Sequence, residues 1–289
     1  MRYDAFSKCH PLTNFLFFLG AIGFCVVIQH PMYLAAGAVG AGGYYLLLKG
    51  RDGWKRIAGL VPVFVVIAGL NPLLNTYGER LLFTMFGRPY TLEALYYGMA
   101  VAGMFVVMIL WFSCYSVVLT SDKFVCLFGS LIPALSLLLV MVLRMIPSLA
   151  RKGKQIADAR TCIGKGVIGA NSAKEKITGG MQVLSALTDW ALEGSIITAD
   201  AMRSRGYGTA KRTSFRIYRM TARDWVLIGA MGVLAAGVLL AGGTGATFTP
   251  QLWIAPPTWG LAAYGVFLLI PTLFYLQEAV QWHISISGI

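Results

Sequence analysis

Two arginines are placed to do chemistry between molecules: Arg160 and Arg205, forty-five residues apart. Arg205 lies in Met202-Arg203-Ser204-Arg205-Gly206-Tyr207-Gly208, where cations crowd the last turn of a helix and glycine stops it. An earlier segment opens at Leu143-Arg144-Met145-Ile146-Pro147 and runs through Lys154, Ile156 and Ala157 to Ala159-Arg160-Thr161, halted near Gly164 and Gly166. Two helices of about twenty residues joined by a turn would put both arginines on comparable helix ends. A guanidinium there offers a planar, permanently charged fork to a carboxylate or to carbonyls on a partner. The competing reading is that both only complement helix dipoles and anionic lipid headgroups.

The element that carries Arg205 is legible from its periodicity. Gln182, Ser185, Asp189, Glu193, Asp200 and Arg203 recur at three-, four- and seven-residue steps and share one helix face. Met181, Leu184, Leu187, Ala191 and Ile197 occupy the other faces. Three carboxylates on one stripe are costly against lipid. The helix over Met181–Arg203 is therefore expected to lie beneath a membrane, its apolar flanks packed on neighbours.

Other chemistries find little support. Cys9, Cys25, Cys114, Cys126 and Cys162 form an odd set without a C-x-x-C pair and read as small hydrophobes. His10, His30 and His283 are too scattered for a metal cluster, so no metal or other cofactor is expected on this chain. Lys165-Gly166 is not followed by Ser or Thr, and no G-x-x-x-x-G-K-[ST] occurs. If ATP drives the protein, another polypeptide binds the nucleotide. A membrane enzyme would need clustered carboxylates or histidines, and Asp189, Glu193 and Asp200 are better explained by solvation. A channel or secondary carrier would need intramembrane polar sites or internal repeats, and the sequence offers neither.

Of the 289 residues 57% are hydrophobic and only 12% charged, about half the usual charged share, which points to an integral membrane protein. Six apolar stretches are long enough to cross a bilayer: Phe15–Ile28, Met32–Leu48, Ile57–Leu74, Ala94–Leu119, Trp225–Leu240 and Gly260–Leu276. His30-Pro31 makes the turn between the first two. The net charge of +12 is concentrated between Arg144 and Arg223, where 15 basic residues face 5 acidic ones. A basic block beside apolar spans marks a cytoplasmic face; no nucleic-acid motif accompanies it, so no nucleic-acid partner is expected. The loop Lys49–Arg56 is basic as well, which places both termini inside. A seventh apolar run, Phe124–Leu143, would put the basic block outside if it crossed. It is read as a surface or underlying segment interrupted by Pro133, Arg144 and Pro147. The expected protein is all-α, with about four spans in residues 1–119, a cytoplasmic region of long helices in 120–224, and about two spans in 225–289.

The motifs resemble a known family, the transmembrane coupling subunit of energy-coupling factor transporters, a class of ABC importers. Ala201-Met202-Arg203-Ser204-Arg205-Gly206-Tyr207 looks like its Ala-Arg-Gly coupling motif followed by an aromatic residue. Leu143-Arg144-Met145-Ile146-Pro147 is similar to its Leu-Arg-Phe-Ile-Pro signature, and His10-Pro11-Leu12-Thr13 to its Asp-Pro-x-Thr stretch. The resemblance implies two long cytoplasmic helices whose arginine-bearing ends sit in grooves on two ABC ATPase subunits, which hold ATP and Mg. Their closure would move the helices and reorient a small substrate-binding membrane protein, the S component, to import a micronutrient such as a vitamin or metal ion. It makes Arg205 the second coupling arginine, with Ser204 and Gly206 as small neighbours that let the helix end sink into a groove. The first motif departs from the pattern, because Cys162-Ile163-Gly164 stands where Ala-Arg-Gly is expected. Either Arg160 supplies the charge a turn earlier, with Ala159 and Thr161 beside it, or Lys165 supplies it from beyond the glycine; Arg160 is the preferred of the two. Arg144, Pro147, Gly164 and Tyr207 are the supporting residues.

Overall fold

A computed structural model of the chain describes residues 6–75, 81–85, 88–129, 133–164, 172–209, 218–247 and 253–287. Among these are nine helices and two short antiparallel strand pairs. The chain divides into two compact units, Met1–Phe124 with Tyr218–Ile289, and Val125–Ile217.

The first unit holds α1 (Pro11–Val27), α2 (Pro31–Lys49), α3 (Arg51–Leu74), α4 (Leu92–Val118), α8 (Ala222–Leu240) and α9 (Trp259–Ser287). Helices α3, α4, α8 and the Trp259–Glu278 part of α9 are long and apolar enough to cross a membrane. Helix α1 is apolar but only 17 residues long. Helix α2 is diluted by Gly37, Gly40, Gly42, Gly43 and three tyrosines. Val61, Val65, Val66, Leu70 and Leu74 stand exposed along α3, a surface that hydrocarbon solvates and water does not.

Aromatic rings make the core of this unit. Phe17 of α1 meets Trp111 of α4 edge-on at 5.5 Å and stacks on Phe267 of α9 at 5.3 Å, while Phe18 meets Tyr115 at 5.7 Å. Such contacts add to what burial alone contributes. Between α3 and α4 the backbones come close enough that a Cβ on Gly98 would stand 2.8 Å from the Ala68 carbonyl oxygen.

Polar groups in this unit gather at helix ends. His10-Pro11 and His30-Pro31 use the same device: proline sets the first helical φ, and the preceding histidine caps the helix. The Nδ1 of His10 accepts from the Leu12 N–H at 3.2 Å, and the Nδ1 of His30 from the Met32 N–H at 3.2 Å. With Nδ1 an acceptor, the proton of His30 sits on Nε2 and is donated to the Ala255 carbonyl at 3.0 Å. These roles account for two of the three histidines without a metal.

Another of these junctions is Asp224, buried at 4% exposure. Its Oδ2 accepts from the Thr221 N–H at 3.0 Å and the Thr221 hydroxyl at 2.7 Å, starting α8. Its Oδ1 accepts from the His10 N–H at 3.0 Å and lies 3.5 Å from the Thr13 hydroxyl, tying α8 to the start of α1. Nearby chain ends are held as well: Lys123 donates to the Ser7 carbonyl, to Ser7 Oγ at 3.0 Å and to the Val118 carbonyl at 2.8 Å. Lys8 pairs with Glu278 at 2.6 Å.

The loops differ from a plain-loop reading. β1 (Leu81–Met85) pairs with β2 (Arg88–Thr91), and β3 (Ala246–Thr247) with β4 (Trp253–Ile254). The apolar run Phe124–Leu143 is shared between α5 (Ser121–Gly129) and α6 (Pro133–Cys162), with residues 130–132 outside the described ones.

Two measurements follow from these junctions. Replacing Asp224 with alanine removes a cap and strands the His10 N–H, a loss of about 2–3 kcal/mol. Thermal unfolding of the purified chain in detergent should show it as a drop of about 5–10 °C. The second concerns pH. Burial holds the His10 imidazole below its ordinary value, against the opposing pull of the Asp224 carboxylate. A base depressed in the folded state binds its proton more readily when unfolded, so this stability is present above about pH 6.5 and is lost as pH falls toward the folded value. Asparagine at position 10 caps without titrating, so a His10→Asn chain should lose less stability than wild type between pH 7 and 5.

Candidate functional site: two helix ends

The second unit is built on α6 and α7 (Ala173–Ser204), 30 and 32 residues long, longer than the expected helices of about twenty residues by half or more. Ser172 caps α7 by accepting the Lys174 N–H at 3.3 Å, and Glu175 sits in the first turn where a helix favours an acid. Pro147 lies inside α6 and removes one helical donor; Arg151 Nε donates to the Pro147 carbonyl at 3.3 Å. Arg144 and Pro147 are both exposed.

The two helices run antiparallel. Arg160 reaches Gln182, Gly153 lies against Leu187, and the Lys152 ammonium sits 5.7 Å from the Trp190 ring centre. The residue numbers rise on one helix as they fall on the other. The inward stripe of α7 is Gly179, Val183, Leu187, Trp190 and Gly194, at steps of three and four. The polar face predicted from spacing is exposed throughout, from Gln182 to Arg203. Within this unit Ile177, Met181, Leu184 and Leu192 form a third, uncovered apolar stripe.

This register separates the two arginines. Arg160 is level with Gln182, and Arg205 lies twenty-three residues further along α7. At 1.5 Å per residue the two ends stand about 35 Å apart, so no single pocket of a partner can hold both.

The ends themselves are built alike. At the end of α7, Gly206 takes φ +78°, its N–H donates to the Arg203 carbonyl at 3.0 Å, and the Tyr207 N–H donates to the Met202 carbonyl at 3.1 Å. That is a Schellman stop with Arg205 at the cap position. Ser204 bonds back to the Ala201 carbonyl at 3.0 Å, and Thr209 closes on the Gly206 carbonyl. Ser204, Arg205, Gly206 and Tyr207 are all exposed. At the end of α6, Gly164 takes φ +71° and its N–H donates to the Thr161 carbonyl at 3.1 Å. Ala159 and Thr161 are exposed, and the Thr161 hydroxyl donates to the Ala157 carbonyl at 2.9 Å. Lys165 lies outside the described residues.

Arg160 does not project as Arg205 does. It is half-buried, its Nη2 donates to Gln182 Oε1, and its Nε is shielded with no hydrogen-bond partner among the described residues. Sequence spacing alone does not reveal this, because the inward face of α6 depends on which face α7 offers. The capping box Thr221-Ala222-Arg223-Asp224 also escaped the sequence reading, although a threonine followed at three residues by an acid, just before an apolar run, is a recognisable helix start. Among the described residues no group of three His, Cys, Asp or Glu side chains is placed to hold a metal.

The chain matches no protein-family model, and no curated protein matches it.

The glycine at the end of α7 gives a direct check. Alanine at 206 must adopt a left-handed conformation, which costs about 1 kcal/mol. Hydrogen exchange of the Gly206 and Tyr207 amides should quicken about fivefold in Gly206→Ala, with the amides of the inward stripe near Leu187 unchanged.

Proposed function

We propose that this chain is the non-catalytic transmembrane coupling subunit of an energy-coupling factor type ABC importer. The observation that carries the reading is Arg205 at the cap of a glycine-stopped helix end, fully presented on a long paired rod. A helix rod of 32 residues is a stiff lever, and a permanently charged fork at its tip is a suitable grip for carboxylates or carbonyls on a moving partner. The similarity of residues 143–147 and 201–207 to the family's motifs adds to it. In this reading about six helices lie in the cytoplasmic membrane, with both termini and the basic region on the cytoplasmic side.

The work is divided among chains. Two ABC ATPase subunits bind ATP and Mg and take the ends of α6 and α7 into their grooves. Their closure drives the helix pair. The membrane helices pass that motion to a small substrate-binding S component, which delivers a micronutrient such as a vitamin or metal ion. The chain itself holds no cofactor and catalyses no reaction.

The test is co-purification of the affinity-tagged, detergent-solubilised full chain with ABC ATPases from the cells that make it, identified by mass spectrometry and assayed for ATP hydrolysis. Wild type should retain ATPase activity, and Arg205→Glu should lower the retained activity about tenfold or more, as loss of an interface anchor does. Absence of ATPases from the wild-type preparation sinks the reading and reopens an autonomous channel or secondary carrier.

A further inference from the structure

The two helix ends are alike in backbone and unlike in chemistry. Aligned on their positive-φ glycines, Gly164 matches Gly206, and each donates its N–H to the carbonyl three residues back. Ile163 then matches Arg205, Cys162 matches Ser204, Thr161 matches Arg203, and Arg160 matches Met202. The burial pattern supports this alignment independently of the glycines. Arg160 and Met202 are both half-buried, whereas the three residues after each are exposed. The fourth residue before the glycine thus turns inward at both ends, and the residue just before it points away from the pair.

At the α7 tip the outward residues are Arg203, Ser204 and Arg205, carrying two positive charges. At the α6 tip they are Thr161, Cys162 and Ile163, with no charge, and Ile163 is 68% exposed. A groove that satisfies Arg205 must offer carboxylate or carbonyl oxygens. Those same oxygens, closed over Ile163, would be stripped of water and left unpaired, an unfavourable exchange. Conversely, an apolar groove that fits Ile163 would desolvate Arg205 without a partner.

Resting on the coupling reading above, we infer that Ile163, not Arg160, is the docking residue of the α6 end. It anchors in an apolar groove on one ATPase subunit, and Arg205 is held in a polar groove on a second, different ATPase chain. Arg160 turns inward instead: it is half-buried and its guanidinium bonds Gln182 of α7, so it is not offered to a groove. The two grooves belong to different polypeptides because one lining cannot suit both tips.

The experiment uses the affinity-tagged full chain, solubilised from the cells that make it and washed in nucleotide- and Mg-free buffer, so that each ATPase is held by its own helix end. Retained ABC ATPase chains are quantified individually by mass spectrometry. Wild type should retain two distinct chains. Ile163→Glu should lose one of them about tenfold, as expected for removal of an apolar anchor, while Arg205→Glu loses the other. Ile163→Leu and Arg160→Met should each retain both, the second because methionine already fills the matching place in α7. Position 163 is exposed, so Ile163→Glu does not threaten folding, and an unchanged elution profile in size-exclusion chromatography checks this. The inference is overturned if Arg160→Met loses an ATPase as Arg205→Glu does, or if Ile163→Glu retains both at the wild-type level. It is also overturned if a single ATPase chain is lost equally from Ile163→Glu and Arg205→Glu; in these three cases the coupling reading survives. Wild type that retains no ATPase defeats both readings, which keeps the two failures distinct.

Discussion

A helix satisfies its own backbone everywhere except at its ends, where the first amides and the last carbonyls need partners from elsewhere. In a chain this apolar, that requirement dictates where polar chemistry can occur. Asp224 meets it for the start of α8 and, with the same carboxylate, takes up the His10 amide at the start of α1. His10 and His30 meet it with their rings, and Lys123 meets it for the end of α4 by taking the Val118 carbonyl. Gly164 and Gly206 meet it for α6 and α7 by turning the chain left-handed. In the first unit the interiors between these ends are left mainly to apolar and aromatic packing.

The same constraint explains how much of the molecule could be read from its sequence. Apolar runs located the long helices of the first unit, because a membrane-length stretch of hydrophobic residues has few alternatives. Among the described residues four helices meet the criterion of length and composition where six spans were expected, because α1 is short and α2 is rich in glycine and tyrosine. Glycine after a run of helical residues located both tips of the helix pair. The strand pairs around residues 81–91 and 246–254 escaped notice, since a few β-prone residues in a loop carry little signal. Both helices begin earlier than their periodic stretches, α7 because residues 173–180 mix charges and glycines, α6 because residues 133–142 are an almost continuous apolar run, and neither shows a helical period.

What the sequence could not supply was facing. Arg160 and Arg205 look equivalent when written as letters near a glycine. Which face of α6 turns inward is settled by α7, through Gly153 against Leu187, Lys152 over Trp190 and Arg160 on Gln182. None of these pairs is local in sequence, and an antiparallel register off by two residues would swing Arg160 outward. The departure at Cys162-Ile163-Gly164 was visible from the start, but its meaning depends on knowing that position 163, not 160, lies where Arg205 lies.

Antiparallel pairing also fixes how the two helix ends are disposed within the unit. With the tips about 35 Å apart on opposite ends of a pair of stiff helices, partners bound at the two tips cannot share a contact residue. If those partners approach one another, the helices must pivot or slide along the stripe that joins them. That stripe contains glycine on both sides, Gly153 on α6 with Gly179 and Gly194 on α7, so part of it lacks interlocking side chains. Arg160 with Gln182 and Lys152 with Trp190 are polar or cation–ring contacts confined to one stretch of the pair, and they favour one register without filling the whole interface. A pair held this way can change its crossing while keeping each tip intact, because the glycine-stopped ends are closed by their own local hydrogen bonds. The tips can therefore keep their backbone geometry while the contact between the rods changes.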